Sequence, residues 1–465
     1  MLKKLGARSG STAPGAQVPI GEASYPAPFE STLEFNAPAH GVWNIVHTGM
    51  LIPESHQIYV CSPNCMRGVV LTAAEMGAAD RFSQVLIEEK DVLAGSIERL
   101  TVEGVSDCLH KLPQLPKAVL VFTVCVHHFM GSDLNWIYRE LERRFPEVTF
   151  IRCFMDPIMK KSGLTPDQKM RKSLYEPIRA LPIKEKTAAL LGSDFALEET
   201  ADLRVFLEEQ GYELKELPRC TTYEEYLSIG ESEFFLACYP AADAGARALA
   251  GRLGRPYRYL PLSFDPDEMD KNQEMLDGLL LELEAERSGK PVSGQLSKEA
   301  VSGDSRRPGR REAETALLEV KELAGDTEIA IDYTFHPRPL GLARLLLDYG
   351  FRVTRVYLDV VSGEEEAAFY ELQRSCPDLL LCATVRPECR ILHETKDTGV
   401  LALGQKAAWF TASRHFVNIV EGAGWYGYDG MVKLAGAMRH ALLTEQDPET
   451  VIPRKGLGCT SCVLL

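Results

Sequence analysis

Short apolar runs alternate with amphipathic stretches along most of the chain, and this alternation constrains the fold more than any other feature. Gln57 to Val60, Ala118 to Val124, Thr187 to Leu191, Glu233 to Cys238, Tyr257 to Leu262, Glu328 to Ile331, Arg352 to Tyr357 and Leu379 to Cys382 have the length and makeup of buried strands. Helical periodicity falls on Asn135 to Arg144, Glu199 to Gln210, Ala242 to Leu253, Leu340 to Asp348 and Gly430 to Leu443, with Gly211 and Gly254 closing the second and third. Strand and helix in turn predict an α/β protein of three Rossmann-like, open, mostly parallel sheet domains around a central cleft. Ligand sites in such sheets lie at the carboxyl ends of strands.

Shifts in composition divide the chain. Residues 1–35 are rich in Gly, Ala, Pro and Ser and read as a flexible N-terminal arm. Residues 36–185 form a first α/β domain and 186–287 a second. Residues 288–311 collect Gly, Ser, Pro, Lys and Arg and read as a linker, and 312–465 form a third domain that ends in a Cys459-Thr-Ser-Cys462 tail. With 51 basic against 66 acidic residues the net charge of −15 repels a phosphate backbone, so nucleic acid is not expected as a partner. The longest strongly apolar run, Ala118 to Val126, falls far short of the roughly 20 residues that span a bilayer. The N-terminal residues hold no apolar core of a secretory signal, and the reading is a cytoplasmic protein with no membrane partner.

A reducing cytosol keeps thiols free, so among twelve cysteines a subset is expected to bind metal or do redox chemistry. Cys61-Ser-Pro-Asn-Cys65 follows a predicted strand and projects two thiols from one tight loop, while Cys125 stands at the end of the strand Val119 to Val124. Soft thiolates at strand ends suit iron–sulfur ligation, which takes three or four of them. Plain packing is the competing reading of each, because free cysteine is among the most buried residue types. His127 and His128 either face a substrate or are solvated. Asp332-Tyr-Thr-Phe-His336-Pro-Arg338, between a strand and a helix, suits either anion binding or structural capping. There is no G-x-x-x-x-G-K-[ST] loop, so the chain is not expected to hydrolyse ATP, and NAD(P) is not expected as its electron donor.

Phe122-Thr-Val-Cys-Val-His-His-Phe-Met-Gly-Ser-Asp-Leu134 and, upstream of it, Lys90-Asp-Val-Leu-Ala-Gly-Ser-Ile-Glu-Arg-Leu100 resemble two linked segments of the nitrogenase component 1 superfamily. In the first, a cluster cysteine precedes a Gly-Asp-Asp turn. The Cys61 to Cys65 loop stands where that family has H-G-P-x-G-C, so Cys65 matches a cluster cysteine and Cys61 replaces a glycine. A further family cysteine, near His40 and Gly41, has no counterpart. The resemblance implies that residues 36–185 bind an iron–sulfur cluster, of the 4Fe–4S kind, through Cys61, Cys65 and Cys125. The fourth ligand is open, to be supplied by a partner chain or the arm.

Further along, Phe234-Phe-Leu-Ala-Cys238-Tyr-Pro is similar to the family's cofactor-cysteine strand, and Gly424-Trp-Tyr-Gly-Tyr-Asp-Gly-Met431 to a segment just beyond its cofactor histidine. Val417 occupies that histidine's position, with His415 two residues away on the same strand face. One of two ligands is thus missing, which argues against a molybdenum–iron cofactor and against dinitrogen as substrate. The resemblance implies an anaerobic, oligomeric oxidoreductase subunit, paired as a homo- or heterodimer or larger with a component 1 chain and fed by a reductase-like ATPase iron protein. Cys238, His415, Tyr426 and the His127–His128 loop are expected to line its substrate site. A non-catalytic scaffold for cluster assembly is the alternative class, and a metal-free α/β sensor a third.

Overall fold

The uninterrupted run Ala118 to Val124 forms a strand with all seven residues buried, the mark of a strand covered on both faces. In the computed structural model, which describes residues 16–30, 45–75, 77–155, 164–289, 309–386, 389 and 399–447, it belongs to the first of three sheets. The fourteen strands of the described residues are β1 (Gln17–Pro19), β2 (Ser55–Cys61), β3 (Phe82–Leu86), β4 (Ala118–Val124), β5 (Thr149–Met155), β6 (Thr187–Leu191), β7 (Glu213–Glu216), β8 (Phe234–Ala237), β9 (Tyr257–Tyr259), β10 (Glu328–Asp332), β11 (Arg352–Tyr357), β12 (Leu380–Cys382), β13 (Leu401–Leu403) and β14 (His415–Val417).

Their orders are β3-β2-β4-β5, β7-β6-β8-β9 and β1-β12-β11-β10-β13-β14, and only the β1–β12 pair is antiparallel. Two sheets therefore share one winding order, in which the chain crosses from β2 past β3 to β4, or from β6 past β7 to β8. The third has the 3-2-1-4-5 order of a dinucleotide-type sheet with β1 added at its edge. Each has one switch point where successive crossovers diverge, between β2 and β4, β6 and β8, and β10 and β13, and such points form crevices at strand carboxyl ends. The α/β architecture is the one the sequence pattern predicts.

Contacts group the chain into two compact units. One comprises residues 43–196 and 210–259 with the two four-stranded sheets; the other comprises 197–209 and 260–456 with the six-stranded sheet and residues 16–30. The boundaries differ from the expected ones because two segments leave their sequence neighbours. The helix Asp202–Glu209, between β6 and β7, is held to the helix Gly427–Leu443 instead, and the helix Pro266–Ser288 packs there too. Within the arm, Gln17 to Pro19 pair with Leu380 to Cys382, and Gln373 donates to the carbonyls of Ile20 and Ala23. Most of the expected linker and the Cys459–Cys462 tail lie outside the described residues.

In the first unit β2 buries polar residues as well as apolar ones, because each finds a partner. Gln57 donates to the Val46 carbonyl, Tyr59 Oη donates to Gln57, and the Tyr59 ring stacks on Phe122 across the sheet at 4.2 Å. In the six-stranded sheet the switch point is closed by Asp332. Its carboxylate accepts from the backbone N–H groups of Thr334, Phe335 and Ala407. Gly404, at φ 112°, makes room for it, since a Cβ there would lie 2.3 Å from Asp332 Oδ2. We expect Gly404→Ala to lower the unfolding free energy by roughly 1–3 kcal/mol, from overpacking against a fixed carboxylate on a backbone that suits only glycine, with denaturant unfolding as the readout.

Candidate functional site

The pairing register of β2 with β4 runs from Ser55↔Ala118 to Tyr59↔Phe122. Continued by two residues, it sets Cys61 level with Val124, so Cys125 begins the next turn on the neighbouring strand's end. Cys61 is fully buried, and Gln84 Nε2 points at its sulfur from 3.9 Å. Burial, with Cys65 close by, pushes its thiol up to about 12. Cys65 is exposed beside Ser62 Oγ at 3.4 Å, and Cys125 is half-buried at the start of the helix Cys125–Phe129. Cys61 closes β2 and Cys125 follows β4, as expected of strand ends, but Cys65 stands in the first turn of the helix Pro63–Glu75 and not in a tight loop shared with Cys61.

They do not complete a metal site. Among the described residues no three His, Cys, Asp or Glu side chains converge closely enough to hold a metal ion. The three thiols therefore share one sheet edge without converging into a ligand set.

His127 is not solvated. Its Nδ1 accepts from Val124 N–H at 3.2 Å and its Nε2 meets Thr101 Oγ1 at 3.1 Å, while burial lowers its pKa to about 4. It fixes the Cys125 turn, and His128 is exposed. Cys238, just past β8, is buried and pushed up to about 12 by that burial, with Glu216 adding to it.

The expected substrate site is not assembled as predicted. His415 opens β14 rather than closing it, and its Nδ1 meets the Ala441 carbonyl at 2.8 Å, near the end of the helix Gly427–Leu443. Tyr426 stands at the other end as that helix's N-cap residue. Fifteen residues of helix at about 1.5 Å each put His415 and Tyr426 roughly 20 Å apart, too far for one small substrate. Asp202 caps this helix, accepting from the N–H groups of Tyr428 and Asp429. Sequence reasoning missed Asp202 because the cap comes from 226 positions away.

Of the two readings of Asp332 to Arg338, anion binding or structural capping, the contacts favour the structural one, because the chain itself fills the position. Arg338 makes a two-pronged pair with Glu268, both contacts 2.7 Å, and Glu365 accepts from the N–H groups of Leu340 and Gly341 at the following helix's start. The second sheet's switch point is closed likewise. Buried Arg171 pairs with Asp194, which also accepts from Thr48, and donates to the Gly192 carbonyl at 2.7 Å. Its guanidinium lies 5.1 Å from the ring centre of Tyr239. Nothing in local sequence marks that pair, since Arg and Asp are commonest on surfaces.

Two four-stranded parallel sheets of one winding order, followed by a sheet of dinucleotide-type order, define an α/β protein of Rossmann-like sheets. The sequence profile described as "Nitrogenase component 1 type Oxidoreductase" matches residues 80–443, and the chain belongs to that family. No curated protein sequence matches it. Among solved structures, "Nitrogenase Cp1 at pH 6.5" superposes with a TM-score of 0.63 at 15% identity, covering 89% of this chain and 94% of the other. "Nitrogenase Cp1 at pH 5" superposes with 0.55 at 13% identity, covering 93% and 94%. At such identities the likeness is one of fold.

The buried neutral His127 ties stability to pH. A base whose pKa is depressed on folding contributes stability above its unfolded value, near 6.5, and loses it as pH falls toward the folded value of about 4. His127→Gln should lack this dependence. The stability gap between wild type and variant should therefore narrow by about 1.4 kcal/mol per pH unit from pH 6.5 down to 4.5, read from urea midpoints at each pH.

Proposed function

We propose that the chain is the substrate-reducing type of component 1 subunit, receiving low-potential electrons from an ATP-dependent iron–sulfur reductase at the carboxyl edge of its first sheet. The observation that carries this reading is the contrast among the three switch points. Two are filled by self-satisfied carboxylates, Asp194 and Asp332, whereas the first presents Cys61, Cys65 and Cys125. Family membership supports the oxidoreductase class. Loss of a histidine at Val417 supports an unsaturated organic substrate in place of dinitrogen.

Assembly with a second component 1 chain completes the ligand set in this proposal. Around the thiols Leu86 and Leu93 follow or flank the end of β3, and Phe129, Met130 and Trp136 follow β4; all five are exposed, Leu93 at 80% and Phe129 at 69%. Side chains of this size on one edge of a sheet favour a covered, apolar partner surface. The protein is accordingly expected to work as a dimer or larger, in the cytoplasm.

Anaerobic reconstitution should load about four irons per site, as for a Cys-ligated cubane, and a Cys61→Ala/Cys65→Ala/Cys125→Ala variant should lose them. Iron content unchanged in the triple variant would remove the proposal's basis. In anaerobic sedimentation Phe129→Glu should shift the loaded protein toward monomer and lower its iron content, because a charge at a desolvated interface centre commonly weakens association by roughly tenfold or more.

A further inference from the structure

The unit that carries the six-stranded sheet holds a cavity of about 540 Å³, within the range of small-molecule sites. One wall is a single face of the helix Pro266–Ser288, where Met269, Asn272, Gln273, Leu276 and Asp277 follow the spacing i, i+3, i+4, i+7, i+8. Leu203, Val205 and Phe206 of the helix Asp202–Glu209 form the facing wall, and Tyr426 to Tyr428 close one end. That facing helix is held in place independently of any ligand. Thr200 Oγ1 donates to Asp429 at 3.0 Å, Lys433 joins Glu198 to Thr200 and Asp429, and Trp425 Nε1 donates to Glu198.

Two features restrict what could fill the space. The helix start at its end would ordinarily attract an anion, but Asp202 already occupies it, and Gly427 is needed for that approach because a Cβ would lie 2.3 Å from Asp202 Oδ2. Asp277 and Glu209 add negative charge to the lining. An anionic ligand is therefore repelled. The second feature is Asn272, which is 4% exposed. Its amide nitrogen donates to the Pro261 carbonyl at 2.9 Å and to Tyr426 Oη at 3.0 Å. A backbone carbonyl can only accept, so the amide orientation is fixed, and the side-chain oxygen accepts no hydrogen bond among the described residues. With no protein donor, that oxygen keeps access to solvent in the cavity, where a ligand N–H or O–H can take the place of water.

We propose that this cavity binds an uncharged or cationic, largely apolar organic molecule that offers one N–H or O–H donor to Asn272. The proposal needs neither iron nor reductase, so it stands or falls separately from the electron-transfer reading. N-phenylnaphthylamine, a neutral fluorophore with an N–H donor, is a suitable probe for the full-length protein. It should bind saturably with one site per chain. Displacement by phenyl naphthyl ether, which lacks the donor, and by anilinonaphthalene sulfonate, which adds an anion, should each require roughly tenfold or more higher concentration. Leu276→Trp fills the cavity and should abolish binding. Val205→Trp fills it from a position 36% exposed, where a larger side chain is tolerated, and serves if the first variant does not fold. Absence of saturable binding, equal affinity for the sulfonate, or binding unchanged in a folded tryptophan variant would overturn the proposal.

Discussion

Parallel pairing is the constraint on which the rest of this structure depends. When every strand of a sheet runs the same way, all carboxyl ends and the loops that follow them gather at one edge, and the winding order opens one crevice there. Three sheets wound in this way, the third with one antiparallel strand added at its edge, give three crevices, each with backbone N–H groups and side chains aimed into it. What fills each crevice decides whether it is part of the scaffold or part of the chemistry.

In the second and third sheets the chain supplies its own filling. Arg171 and Asp194 neutralise each other while fully buried, with Thr48, Gly192 and the Tyr239 ring arranged around them. Asp332 satisfies three backbone N–H groups and relies on the missing Cβ of Gly404. Such arrangements are stable only when complete, since losing one partner of a buried pair typically costs about 3–5 kcal/mol. The first sheet differs in kind. Cys61, Cys65 and Cys125 are weak hydrogen-bonding groups that satisfy little by themselves, and His127 is spent on holding the turn that carries Cys125.

Much of this was legible in the sequence where the signal was local. The runs at Ala118 to Val124, Thr187 to Leu191 and Arg352 to Tyr357 are strands with the predicted limits, and Gly254 ends its helix at φ 64° as a glycine after such a helix should. The placement of Cys61 and Cys125 was equally readable, because a strand end is a property of the strand, whereas Cys65 lies in a helix where a tight loop was expected. The local signal ends where a residue's role depends on a distant partner. Asp429 has the residue type of a cap, yet Asp202 performs that role. Arg338 has the fork of an anion receptor, yet Glu268 already fills it.

The amino-acid sequence by itself determined the α/β class, the strand-end positions of Cys61 and Cys125 and the family resemblance, because hydrophobic period, turn residues and motif spacing act over a few positions. Only the tertiary structure decided that His415 and Tyr426 lie at opposite ends of one helix, that residues 197–209 join the six-stranded unit, and that a cavity opens beside Asn272. Those outcomes rest on contacts between segments tens to hundreds of positions apart, chosen by which buried polar groups and apolar faces could be satisfied together. No local pattern along the chain encodes that choice.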